Sequence, residues 1–282
     1  MEIVVAKNAG FCFGVKRAIE KTNDYLNKSG EIYSIGPLIH NEIVTNDLKK
    51  RGLIELNDIE EIKALKNKKV IIRTHGIEKE IYEILEKNNN EIIDLTCPFV
   101  KKIHELVEKY SNSGYKIIVI GDKNHPEVKG IVSYANNDIY VIINEEDIKA
   151  LNIDKSANIF VVFQTTTNAL NAQKLVDILK DLFYNISLVN TICNATENRQ
   201  KEVVELAKNS DVMLIIGSAN SSNSKKLYEI SKSFCKNTYF LNSKDEIKNI
   251  SFNNNEKIGV SAGASTPEYL IEEILRNVRN EF

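Results

Sequence analysis

Three of the four cysteines in this chain, Cys12, Cys97 and Cys193, occupy corresponding points of one degenerate repeat. A glycine stands 24 residues beyond each of them, at Gly36, Gly121 and Gly217. Four residues after each glycine comes a polar side chain, His40, His125 or Ser221, and farther on an Ile-Lys pair recurs, at Ile62-Lys63, Ile148-Lys149 and Ile247-Lys248. Thiolates are soft ligands suited to zinc or to iron–sulfur clusters. One thiol per repeat, brought to a common centre, makes a three-cysteine metal or iron–sulfur site with one coordination position open. A lone cysteine is usually a small buried hydrophobe, but three in matched positions favour ligation. Zinc on three cysteines is the other reading of the same donors, while the absence of any Cys-x-x-Cys pair argues against a structural zinc ribbon. Cys235 has no counterpart in the other repeats and is expected to be structural.

The remaining chemistry lies in polar turns. His40, with Asn41 beside it, His75 and His125 are three of only four histidines. The third repeat offers Ser221, Ser222, Asn223 and then Ser265, and the second adds Thr165 and Thr166. Most of these stand just before expected helix starts, where unbonded backbone N–H groups attract anions. Imidazole, hydroxyl and amide donors there suit a phosphate or diphosphate. Ser, Thr and Asn before helices also serve as plain N-caps, so both roles stay open for Ser221, Ser222 and Thr166. Glu127 is the one acidic side chain within these turn motifs. It either handles a proton or complements a helix dipole. His104 falls inside the helix expected after Cys97, a surface or packing position. Arg199 either supports the cysteine site or is solvated.

Strands and helices must carry these groups. Short apolar runs, Ile32–Ile35, Lys116–Ile120 and Val212–Ile216, are of the kind buried on both faces of a parallel sheet. A second set, Val70–Arg73, Ile159–Phe163 and Lys257–Val260, leads into the turns at Thr74-His75-Gly76, Gln164-Thr165-Thr166 and Ser261–Ser265. Between them lie helical stripes such as Val100, Ile103, Leu106 and Val107. This alternation predicts an α/β class with mainly parallel sheets, in three pseudo-threefold-related modules at 14–96, 97–190 and 191–282. Ligands bind beyond the carboxyl ends of such strands, so the turns are expected to line one closed cavity.

A formal charge of −2 argues against nucleic-acid or membrane partners. Four cysteines are too few for a disulfide framework, and the opening Met1–Ala6 has the character of a strand, not of a signal peptide. A reducing cytoplasm is the expected compartment.

Taken together, the motifs Ala9–Val15, Ile39-His40-Asn41, Thr74-His75-Gly76, Thr96-Cys97-Pro98, His125-Pro126-Glu127-Val128, Gln164-Thr165-Thr166, Asn198-Arg199-Gln200, Gly217–Ser224 and Ser261–Ser265 resemble the 4-hydroxy-3-methylbut-2-enyl diphosphate reductase family. The resemblance runs from residue 9 to about residue 270. It implies a trefoil of three modules around one 4Fe–4S cluster on Cys12, Cys97 and Cys193, with the first thirteen residues joining the third module. It implies diphosphate contacts from His40, His75, His125, Ser221, Ser222, Asn223 and Ser265. Thr165 would then lie near the substrate hydroxyl and Glu127 would deliver protons. Reductive dehydroxylation to isopentenyl and dimethylallyl diphosphate is the implied reaction. A dinucleotide-binding Gly-x-Gly-x-x-Gly turn is absent, so ferredoxin or flavodoxin is the expected electron donor. The rival readings are a quinolinate-synthase-like 4Fe–4S enzyme, whose carboxylate substrates call for more arginine in the turns, and a non-enzymatic iron–sulfur sensor.

Overall fold

The structure is a computed structural model that describes residues 2–29 and 31–280. The first elements are β1 (Glu2–Val5), α1 (Phe13–Ser29), β2 (Ile32–Ile35), α2 (Glu42–Lys50), β3 (Leu53–Leu56), α3 (Ile59–Ala64), β4 (Lys69–Ile72), α4 (Lys79–Lys87) and β5 (Glu91–Asp94). The series repeats as α5 (Pro98–Asn112), β6 (Lys116–Ile120), α6 (Pro126–Ser133), β7 (Ile139–Ile142), α7 (Glu145–Lys149), β8 (Asn158–Phe163), α8 (Ala169–Leu182) and β9 (Asn185–Leu188). It repeats again as α9 (Asn194–Lys208), β10 (Val212–Ile216), α10 (Ser222–Phe234), β11 (Thr238–Leu241), a 3₁₀ helix (Lys244–Asn249), β12 (Lys257–Ala262) and α11 (Glu268–Asn280).

The strands form three four-stranded sheets in the orders β3-β2-β4-β5, β7-β6-β8-β9 and β11-β10-β12-β1, and every pairing is parallel. The α/β class with parallel sheets is thus as expected. One topology recurs three times, and the third sheet takes its edge strand from β1, with Glu2 to Val5 in register with Lys257 to Val260. The strand limits differ slightly from the apolar runs: β4 stops at Ile72, one residue short of Arg73, and β12 continues to Ala262.

The inner strands are buried on both faces, which is why they are continuously apolar. Ile118 and Ile120 of β6 join one core cluster with α8, while Ile117 and Val119 join another with α5 and Phe160. The recurring isoleucines Ile62, Ile148 and Ile247 are each the buried residue of a short helix. They anchor that helix to its core, so the repeated motif marks a packing position.

The chain forms two compact units. One contains the described residues up to Lys16, the segment Ile39–Asp47, and the described residues from Asn194 onward; it holds the third sheet. The other contains Arg17–Leu38 and Leu48–Cys193, with the first and second sheets.

Candidate active site

Each of the three repeat cysteines immediately precedes a helix: Cys12 before α1, Cys97 before α5 and Cys193 before α9. Their backbone N–H groups are held in the same way. Cys97 donates to the Thr74 carbonyl at 3.0 Å, Cys193 to that of Thr165 at 3.1 Å, and Cys12 to that of Ala264 at 3.1 Å. Thr74, Thr165 and Ala264 each lie two residues past the end of β4, β8 and β12. The repeat therefore gives three thiols one seat, at the carboxyl edge of each sheet and at a helix N-terminus. Pro98, in the first turn of α5, has no N–H to leave unbonded there.

Arginines brace two of these seats. Arg17 donates to the Leu95 and Thr96 carbonyls at 3.1 and 2.8 Å, just ahead of Cys97. Arg199 is buried and donates to the Gly10 carbonyl at 2.7 Å, just ahead of Cys12. Its solvated reading is set aside by that burial. Gly10 has φ +96°, a conformation that side-chain-bearing residues rarely adopt. Ahead of Cys193, Thr191 does the bracing: its Oγ1 accepts from Phe163 N at 2.8 Å and donates to Phe163 O at 2.6 Å. Cys235 is different, buried at the end of α10 with its sulfur near the carbonyls of Ser210 and Asp211. None of the four cysteines is in a disulfide. Three partly buried thiols in equivalent seats, with the fourth sulfur packed elsewhere, are a donor set that fits a three-thiolate centre.

Glu127 lies in the first turn of α6, capped by His125. The His125 Nδ1 accepts the Glu127 N–H at 3.1 Å, which leaves the ring proton of the neutral imidazole on Nε2. The Glu127 carboxyl is 1% exposed. Its Oε1 accepts the Thr165 N–H at 2.6 Å and its Oε2 meets Thr165 Oγ1 at 2.7 Å. Burial pushes its pKa up to about 6, against the pull of the two Thr165 hydrogen bonds. Because Thr165 O also receives Cys193 N–H, an unbroken hydrogen-bonded run joins the carboxyl to the peptide of a cysteine seat. The His75 and His125 rings meet edge to face, centroids 5.3 Å apart.

In the unit carrying the third sheet, His40 and Ser265 are tied together. Asn41 accepts from Ile43 N and Val44 N through Oδ1, capping α2, and donates from Nδ2 to Ser265 O at 2.9 Å. Ser265 Oγ donates to His40 O at 3.2 Å. Ser221 caps α10 by accepting from Ser224 N, and Ser222 opens that helix. Asn223 is 4% exposed, yet neither the oxygen nor the nitrogen of its amide meets a partner within the protein. An amide left in that condition costs about 1–3 kcal/mol and fits a site that awaits a polar ligand.

Thr166 does not cap α8; Asn168 does, accepting from Leu170 N and Asn171 N. Thr166 Oγ1 instead receives a hydrogen bond from Gln164, whose Oε1 accepts Asp122 N. The motif Asn198-Arg199-Gln200 lies one turn inside α9, which begins at Asn194. Asn41, Arg17 and Gln164 are supporting residues that the spacing of the repeats gives no means of singling out. His104 proves to be buried, stacked on Tyr134 with centroids 4.2 Å apart.

The LytB protein family model matches residues 3–279. The chain belongs to that family. A relative from Campylobacter hominis named 4-hydroxy-3-methylbut-2-enyl diphosphate reductase is 46% identical over 279 residues, covering 99% of this chain and 98% of its own. One of the same name from Caldanaerobacter subterraneus subsp. tengcongensis is 43% identical over 282 residues, covering 99% and 97%. Among solved structures, the Plasmodium falciparum E-1-hydroxy-2-methyl-but-2-enyl-4-diphosphate reductase superposes with a TM-score of 0.90 at 32% identity, over 98% of this chain and 87% of that one. A second, an (E)-4-hydroxy-3-methyl-but-2-enyl diphosphate reductase titled the terminal enzyme of the non-mevalonate pathway, gives 0.72 at 39% identity over 99% of both chains. This LytB chain thus shares its fold and nearly its whole length with diphosphate reductases. No helix among the described residues is long and apolar enough to cross a membrane.

Proposed function

We propose that this LytB-family chain is a 4-hydroxy-3-methylbut-2-enyl diphosphate reductase. It removes the allylic hydroxyl as water and yields isopentenyl and dimethylallyl diphosphate. Substrate, two electrons and two protons balance product and one water. The observation that carries the reading is the triple seat: three cysteines, each before a helix and each bonded to the second residue past a strand end. The full-length relatives of that name support it.

Cys12, Cys97 and Cys193 would hold a 4Fe–4S cluster, which when bound supplies the electrons and leaves one iron without a protein ligand. Everything else falls to side chains. The protonated Glu127 gives its proton from Oε2 to Thr165 Oγ1, 2.7 Å away, and the Thr165 hydroxyl passes its own proton toward the leaving oxygen. A carboxyl ionising at about 6 can give and regain that proton near neutral pH. His125 presents Nε2–H to the diphosphate, since its Nδ1 is committed to the helix. His40, His75, Ser221, Ser222 and Ser265 add donors around the same anion. Asn223 finds there the partners that its amide lacks within the protein. We take ferredoxin or flavodoxin as the electron donor and the cytoplasm as the compartment.

Anaerobic reconstitution followed by Mössbauer spectroscopy, with and without the allylic diphosphate, tests the assignment. The expected spectrum has one distinct iron that changes on adding substrate. Four equivalent irons indifferent to the substrate, with no turnover from a reduced viologen dye, would end the proposal.

A further inference from the structure

His104 belongs to α5, yet its ring abuts both Gly76, in the turn that carries His75, and Gly130, in the helix that carries Glu127. It is 5% exposed, and its Nε2 has no hydrogen-bond partner in the protein. Two glycines make room for the ring. A Cβ on Gly76, the residue after His75, would stand 2.9 Å from His104 Cε1; one on Gly130, in α6, would stand 3.4 Å from Nε2. Gly76 also has φ +74°. On its other side the imidazole stacks on Tyr134 at the end of α6, interplanar angle 14°. The seam around it is continuous. The Ile77 carbonyl abuts Gly130, Lys79 N donates to Ser133 Oγ at 2.9 Å, and Ser133 Oγ donates to the Gly130 carbonyl at 2.6 Å.

A buried imidazole with an unbonded nitrogen is a poor way to fill space, because the polar atom costs stability that leucine would not. Its value here is the space its ring edge fills. Cε1 abuts Gly76 of the Thr74-His75-Gly76 turn and Nε2 abuts Gly130 of helix α6, so one ring touches both. His75 rides on the first and His125 and Glu127 on the second.

We propose that His104 is a positioning residue, a spacer that sets the His75 turn against helix α6 and thereby tunes the grip on the substrate's diphosphate. The inference rests on assigning His75 and His125 to that anion.

The test compares wild-type and His104→Ala holoenzymes by calorimetric titration with inorganic diphosphate and by steady-state kinetics. The variant is expected to weaken diphosphate binding and raise KM by about tenfold each, with kcat within about threefold, since a misplaced ligand group costs binding before it costs chemistry. A cavity of about 210 Å³, lined by Asp94, Lys101, Glu108 and Tyr134 among others, opens beside His104. Added imidazole is therefore expected to enter and recover most of the lost affinity. Diphosphate affinity and KM both within about twofold of wild type would overturn the inference, whatever happened to the melting temperature. Should the alanine variant not fold, His104→Gln serves the same comparison, with about a threefold loss expected and no change counting against the spacer. A wild-type holoenzyme that bound no inorganic diphosphate would instead remove the underlying assignment.

Discussion

Thr165 and Asn223 both lie beyond the carboxyl ends of parallel strands, one two residues after β8 and the other in the first turn of α10, yet their hydrogen bonding is opposite. Thr165 is saturated: its N–H and hydroxyl both engage Glu127, and its carbonyl receives Cys193 N–H. Asn223 is more deeply buried, at 4% exposed against 8%, and has no partner within the protein for either end of its amide. The pair proposed to handle protons is bonded by the protein alone, whereas the amide proposed to bind the anion is left unsatisfied by it. On that assignment, preorganisation is built where charge moves and latent affinity where charge is bound.

The contrast can be broken by mutation. Glu127→Gln has the largest expected effect: turnover should drop by about 10²–10⁴-fold while the cluster's absorption spectrum is retained. Full turnover would show that the carboxyl carries no proton. Asn223→Ala comes next, with KM for the diphosphate rising by about 10–100-fold, the worth of a bond or two to a charged group. Chemical denaturation should meanwhile find the ligand-free variant no less stable than wild type, because two unsatisfied atoms are gone. A clear loss of stability would mean that the amide is bonded after all.

Thr165→Val is expected to do the reverse. It removes the hydroxyl proposed to relay the proton, so kcat should fall, and it leaves a carboxyl oxygen without its donor, which should cost about 1–3 kcal/mol of stability. Because that hydroxyl lowers the Glu127 pKa, its removal should move the pH midpoint of kcat upward from the wild-type value. A downward move would place another acid in control.

The smallest effect is the pH dependence of stability. Glu127 ionises at about 6 when folded, against 4.5 as its ordinary value. The protonated carboxyl therefore favours the folded state fully below about 4.5, and that contribution is lost as pH rises through about 6. The loss amounts to about 2 kcal/mol by linkage. Glu127→Gln should flatten this slope between those limits in thermal melts at stepped pH, and an unchanged slope would assign it to other groups.

The fold was legible because the same pattern is written three times. Two-faced apolar strands, the spacing from cysteine to glycine, and the buried isoleucine of each short helix all survive sequence drift through packing demands. The cysteine seats were legible for the same reason. Less visible were contacts between chain-distant backbone and side chains that differ among the repeats. At the position after β4, β8 and β12 stand Arg73, Gln164 and Gly263. Arg73 spreads its guanidinium where a Cβ on Gly36 would be, Gln164 caps Asp122, and beside Gly263 the gap is filled by Ser224 from α10. Only the loop partner explains each choice: Gln164 accepts the N–H of Asp122, but the corresponding Pro37 has none to give. Helix starts were the least legible, since Asn168 and Thr166 are both good caps on paper and geometry chose one.

The edge strand β1 has a consequence for biogenesis. Cys12 leaves the ribosome early, but the carbonyl that fixes its peptide belongs to Ala264, and its neighbouring strand pairs with β12. A growing polypeptide can therefore finish two thiol sites while the earliest thiol to be synthesised still lacks its support. On the proposed assignment of the three thiols to one cluster, iron insertion waits until Ala264 has been made, and nascent chains halted before that residue should accumulate without iron.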